Sequence, residues 1–303
     1  MKMKKYLLIL SVCSLHLLTV SCEKHTSPVK DGAKPELISD EFIFTEGPAS
    51  DKEGNVYFTD QPNNQILKWD AKSNSISVYM KDAGRSNGMY FDDDQNLWTC
   101  ADENFQLWKI SPDKEVSVVL DGHENKAFNG PNDLWMDEKG GFYFTDPYYQ
   151  REYWERKSPE MEKRKVYYLS PDHKTVTPVA EGFVLPNGII GSSKDQVLYV
   201  SDVSKEKVYK YQIQDNGTLT DKELFADMGS DGMTLDNEGN LYVTGDGVVV
   251  FDKEGNKIDH IQIDKDWTGN VTFGGANEDI LFITASDAVY KLPMKTHGIR
   301  WNH

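Results

Sequence analysis

Short apolar runs recur along the chain, each holding an aromatic residue and closing on Thr, Ser or Asp. They read VYFTD (56–60), LWTCAD (97–102), FYFTD (142–146), LYVSD (198–202), LYVTGD (241–246) and LFITASD (281–287). Five of the six follow a polar turn such as DKEGN, DEKGG or DNEGN, and most lead into a second apolar stretch, such as ILKWD, LWKIS or AVYKLP. The aromatic residues Tyr57, Trp98, Tyr143, Tyr199, Tyr242 and Phe282 lie 41, 45, 56, 43 and 40 positions apart. Apolar segments this short, with no sustained 3.6-residue period, predict strands. A repeat of ~40–45 residues carrying several strands is the size of a propeller blade. An all-β, six-bladed β-propeller is therefore predicted. The strand-like stretch ELISDEFIF (36–44) is expected to complete the blade begun near residue 270, closing the ring and removing a sheet edge.

The pattern changes at the N-terminus. Lys2, Lys4 and Lys5 precede an apolar run from Tyr6 to Val20 and then Ser21-Cys22. A run of this length suits a signal-peptide core better than a membrane span, which needs ~20 residues. The cysteine after a small residue resembles a bacterial lipoprotein signal, although Thr19 stands where an aliphatic residue is commonest. Residues 1–21 are thus expected to be a lipoprotein-type signal, Cys22 the lipidated residue, 22–35 a flexible tether and 36–303 the propeller. The expected location is outside the cytoplasm, on the periplasmic face of a bacterial membrane or at the cell surface, with membrane contact only through that anchor. Cys13 leaves with the signal and Cys22 would be acylated, so Cys100 stands without a cysteine to pair with in the chain.

Charge narrows the partners. Lysine plus arginine total 33 against 49 acids, a net −16, which argues against nucleic acid, whose phosphates need cations. An aromatic content of 12% argues against disorder. A monomer acting on a small molecule is expected.

Counting back 11 or 12 residues from each repeat aromatic finds Glu46, Asn87, Asn132, Asn187, Asp231 and Asn270. Each taken singly is an ordinary turn residue. Their shared phase is not ordinary, because propeller symmetry carries equivalent positions toward one mouth of the central channel. Six converging carboxylates and amides need something to satisfy them. Water filling the funnel is one answer. A cation is the other: Glu46 and Asp231 supply charge, Asn132 and Asn187 supply carbonyl oxygens, and no thiolate or histidine shares the phase. All-oxygen ligation selects one hard divalent ion, Ca2+ ahead of Mg2+ or Mn2+, with Zn2+ the softer alternative.

At these positions the chain resembles the senescence-marker-protein / gluconolactonase / luciferin-regenerating-enzyme family of calcium-dependent propellers. The resemblance covers nearly the whole mature chain, and its most specific pieces are FTEGP (44–48), FNGPNDLWMDEKGGFYFTDP (128–147), LPNGI (185–189), SDGM (230–233) and VTFGG (271–275). It implies metal ligation by Glu46, Asn132, Asn187 and Asp231, with Asp231 also the general base, and hydrolysis of a sugar lactone to its hydroxy acid. Asn87 and Asn270, in register but outside that ligand set, are candidate substrate contacts, with Asn129 and Arg85 flanking them. Some sugar-lactone members carry an arginine two residues before the metal-site asparagine. Here Gly130 stands there, so the substrate must be gripped differently. The longest interval holds an insertion, 147–165, whose Tyr148 is a further candidate contact from a loop or short helix over the pocket. Two other readings stay open: hydrolysis of organophosphate-type esters on the same ligands, and a non-catalytic ligand-binding propeller lipoprotein.

Overall fold

The computed structural model describes residues 26–299; the expected signal sequence, Cys22 and residues 300–303 lie outside them. Among the described residues there are 24 strands, arranged as six four-stranded antiparallel sheets. The only helical turns among them are two 3-10 turns, Asp102–Asn104 and Val203–Lys205. The protein is an all-β six-bladed propeller, as the spacing predicts. Five sheets are contiguous in sequence. The sixth takes its outermost strand, Glu36–Ser39, from the other end of the chain and pairs it with Ala288–Pro293.

Each repeat aromatic sits on the second strand of its blade and is buried: Trp98, Tyr143, Tyr242 and Phe282 wholly, Tyr57 and Tyr199 nearly so. These rings fill the space between adjacent sheets, where Tyr57 meets Phe91 edge-on and Trp98 lies over Phe142. The polar turns between strands are closed by their own aspartates. In DKEGN, Asp51 Oδ1 accepts the amides of Glu53 and Asn55, both at 2.9 Å; Asp137, Asp236 and Asp252 repeat the device.

The inner strands Thr45–Ser50, Ser86–Phe91, Leu134–Met136, Pro186–Ser192, Met233–Leu235 and Asn270–Gly274 line the central channel. In three blades the pairing of the inner strand is interrupted at its head, between Glu46 and Ala49, Ser86 and Met89, and Pro186 and Ile189. Such a bulge re-aims a side chain, and here it falls on Asn87 and Asn187 and directly after Glu46. A second repeated device holds the chain just ahead. Asp60 accepts the amides of Ile43 and Phe44, Asp146 those of Asn129 and Gly130, and Asp202 those of Val184 and Leu185. In every case these amides lie three and two residues before the ring residue.

Part of the stretch read as a tether is not free. Val29 and Ala33 pack on the core of the last blade, Val29 bridges Met294, and Lys295 N donates to Pro28 O at 2.7 Å. Apolar contact at Val29 and Ala33 accounts for that docking.

Candidate active site

The six residues in register do come together. Asn270 Nδ2 donates to Glu46 Oε2 at 3.2 Å, and Asn187 Nδ2 donates to Asp231 Oδ1 at 2.5 Å. Gly88 N, next to Asn87, donates to Asn132 O at 2.8 Å. Gly47 lies so close to Asn87 that a Cβ there would stand 1.8 Å from the Asn87 carbonyl oxygen, so a side chain at this position would break the ring. Glu46, Asn87, Asn132, Asn187 and Asn270 are buried, whereas Asp231 remains partly accessible. Solvent therefore reaches this ring beside Asp231.

A seventh polar residue joins them. Asp133 occupies the place held by Gly47, Gly88, Gly188 and Gly232 in other blades, and its carboxylate accepts the amides of Leu134 at 2.9 Å and Ile189 at 3.3 Å. Burial, opposed by those two amides and reinforced by Asp231, pushes its carboxyl up to about 7. Glu46 is raised by burial and then by the charges of Asp231 and Asp133. Asp231 is raised by burial, against the Trp267 indole, Arg151 and Asn187, which favour its charged form. Three carboxylates thus crowd one end of the channel. Among the described residues no ion pair reaches Glu46, Asp133 or Asp231, and no three His, Cys, Asp or Glu side chains form a metal-holding group. The candidate ligand set is instead two carboxylates and two amides. A divalent cation suits it: the donors are all oxygen, and positive charge would relieve the repulsion that raises Glu46. The side chains of Asn87 and Asn132 have no hydrogen-bond partner among the described residues.

The insertion lies against this site. It runs without helix or strand from Pro147 to Arg164. Trp154 is buried and donates its indole N–H to Asp102 O at 2.9 Å. The Asp102 carboxylate receives Arg151 Nε at 3.3 Å and the Tyr153 hydroxyl. In the second blade Ala101 stands where Asp60, Asp146 and Asp202 hold the chain, and the acid comes one residue later, which leaves it for the insertion. Tyr149 is the tyrosine that reaches the ring, accepting from Asn187 Nδ2 at 2.8 Å. The Tyr148 hydroxyl instead bonds Gln150 Oε1 at 2.6 Å, away from the ring residues. Asn129 is wholly buried and anchors the insertion, its side chain accepting from Met161 N and donating to Lys163 O. Arg85 lies over the Tyr153 ring at 4.3 Å and donates to Pro62 O at 3.0 Å. Gly130, with φ +147, faces Trp154, whose ring would meet a Cβ at 3.0 Å. The insertion therefore fills the space that an arginine side chain would need.

The opposite end of the channel opens into a cavity of ≈ 1120 Å³ lined by Met89, Trp135, Met233 and Phe273 with acidic residues at its edge. Of the ring, only Asn270 and the neighbouring Asp133 border it, so the register residues serve the other mouth.

The comparisons agree with this architecture. The SMP-30/gluconolactonase/LRE-like region matches residues 44–287, and the chain belongs to that family. It is 31% identical over 294 residues to a gluconolactonase of Zymomonas mobilis, covering 87% of this chain and 82% of that protein. The structure of a gluconolactonase from Xanthomonas campestris superposes with a TM-score of 0.82 at 27% identity, over 88% of this chain and 91% of the other. A calcium-binding protein, regucalcin, from Agrobacterium tumefaciens shares the fold at a TM-score of 0.74 and 18% identity, over 88% and 95% of the two chains. Membership of this family supports a lactone-hydrolysing enzyme.

Proposed function

We propose that the protein hydrolyses a sugar-derived lactone to its hydroxy acid, with Glu46, Asn132, Asn187 and Asp231 holding one divalent cation, calcium first. The observation that carries the reading is the Asn187–Asp231 pair: a buried amide bonded at 2.5 Å to the one accessible carboxylate of the ring. The gluconolactonase relative supports the lactone, and the calcium-binding neighbour supports the ion. When bound, the cation supplies positive charge for the lactone carbonyl oxygen as the tetrahedral transition state develops. The chain's own task is proton handling. Asp231 takes a proton from the attacking water as its oxygen bonds the carbonyl carbon. The carbonyl carbon–ring oxygen bond then breaks, and that oxygen leaves as the hydroxyl of the product, taking the proton held by Asp231 and returning the carboxylate. Asn187 fixes the carboxylate through its N–H, and Tyr149 fixes Asn187 in turn.

Residues 1–22 are proposed as a lipoprotein signal and acylated Cys22, making the enzyme an exported, membrane-anchored monomer. Loss of lipid labelling in Cys22→Ser tests the anchor. Turnover of a lactone panel by the purified protein, titrated with calcium and then EDTA, tests the activity. Calcium-dependent ring opening is the expected result, and hydrolysis of phosphotriesters without lactones would overturn it.

A further inference from the structure

Trp267 is out of place for a core residue. It is 37% exposed, whereas Trp69, Trp98, Trp135 and Trp154 are buried. Its indole Nε1–H nevertheless donates to Asp231 Oδ2 at 2.6 Å, on the carboxylate whose other oxygen accepts from Asn187. The loop that carries it is fastened on both sides: Lys265 to Asp287, Ser286 Oγ to Trp267 O, and Thr268 N to Gly245 O. A fastened tryptophan with its polar edge on a recessed carboxylate and over a third of its surface in water has no packing explanation.

Tyr149 stands at the other end of the same chain of bonds. Its hydroxyl accepts from Asn187 Nδ2, so the chain runs Tyr149–Asn187–Asp231–Trp267. The Arg151 guanidinium lies over its ring at 5.4 Å and is itself held by Asp102 at 3.3 Å. Both N–H groups of Asn187 and both oxygens of Asp231 are engaged by this chain. Two aromatic rings, one on the insertion and one on the loop before the last inner strand, thus end a row of polar groups at the accessible edge of the site.

We infer that Trp267 and Tyr149 are specificity-determining residues, which receive the apolar C–H face of a polyhydroxylated ring and so select cyclic sugar derivatives. Aromatic rings offer large apolar area with a polar tip, which suits a ligand that has C–H faces and hydroxyl edges. Trp267 has a second, positioning role through its N–H on Asp231. The placement also answers the substitution of glycine at position 130: the grip comes from the insertion and the facing loop instead of from that residue. This inference rests on the proposed lactone site, and its test separates the two.

The full chain is compared with Trp267→Ala, Trp267→Phe and Tyr149→Ala. The measurements are kcat and KM on glucono-δ-lactone and the affinity for glucono-δ-lactam, a ring that is not hydrolysed in the same way. Loss of either ring to alanine should raise KM and weaken lactam binding about tenfold, the equivalent of an aromatic contact. Trp267→Phe keeps the ring but not the donor, so KM and lactam affinity should stay near wild type while kcat falls several-fold. Unchanged KM and lactam affinity in both alanine variants, with melting temperatures intact, would overturn the inference, as would failure of the wild type to bind the lactam. Lactam binding that depends on both rings, in a protein that opens no lactone, would support the inference while sinking the lactonase reading.

Discussion

Asn187 and Asp231 lie 44 positions apart in neighbouring blades, and one hydrogen bond of 2.5 Å joins their side chains. The carboxylate is partly accessible and the amide is buried, so the pair sets a solvent-reached acid against a fixed amide behind it.

Replacing Asn187 by alanine removes a proposed ligand and the donor that orients Asp231. Lactone turnover should fall by ~10²–10³, the usual cost of losing a preorganised polar group. Far-UV circular dichroism should stay that of the parent, because the bulged strand keeps its backbone bonds. Undiminished turnover in this variant removes Asn187 from the site.

Asp231→Asn keeps the shape and discards the proposed base. The expected loss in kcat is ~10²–10⁴. The metal-free variant should lose less stability between pH 5 and pH 8 than the parent, since a charge that repels Glu46 is gone, although one of the two N–H bonds that Asp231 accepts goes with it. A fall in melting temperature with kcat preserved would assign Asp231 to structure only.

Stability of the metal-free protein should fall as pH rises. Asp133 moves from an ordinary 3.8 up to about 7 on folding, and Glu46 moves in the same direction. The folded state therefore binds more protons than the unfolded chain between pH ~4 and ~7, and stability is lost across that window. Thermal melts in EDTA from pH 5 to pH 8 should show the decline, Asp133→Asn should flatten it, and calcium should reverse it. A rise in melting temperature with pH in EDTA would show that these carboxylates are ionised and satisfied without metal.

Gly130→Arg, which recreates the arginine of some sugar-lactone relatives, should not gain activity here. A Cβ at 130 meets the Trp154 ring at 3.0 Å with φ at +147, so a loss of ~1–3 kcal/mol is expected, with the insertion loosened. Limited proteolysis within 147–164 would report it. A stable variant with raised activity would show that the insertion moves aside freely.

Blade number, ring closure and the six register residues were legible because each is a periodic property, repeated every ~45 residues. Asp133 is legible too: the position after the ring residue is glycine at 47, 88, 188 and 232, and the acid breaks that series. Tyr149 and Trp267 carry no such mark. Tyr149 lies in an insertion that has no counterpart in other blades, so no phase distinguishes it from Tyr148. The hydroxyl nearer the site is decided by how Trp154 and Arg151 anchor on Asp102. Asn129 sat in the right segment, yet its neighbours in space, Met161 and Lys163, turned it into a fastener for the insertion.

The strand Glu36–Ser39 is joined to Ala288–Pro293, and Asn270 in that same sheet bonds Glu46. A nascent polypeptide on the ribosome therefore cannot close the ring until the strand Ala288–Pro293 has emerged. Products that stop short of that strand leave Glu36–Ser39 without its partner and the seam of the propeller as an open sheet edge.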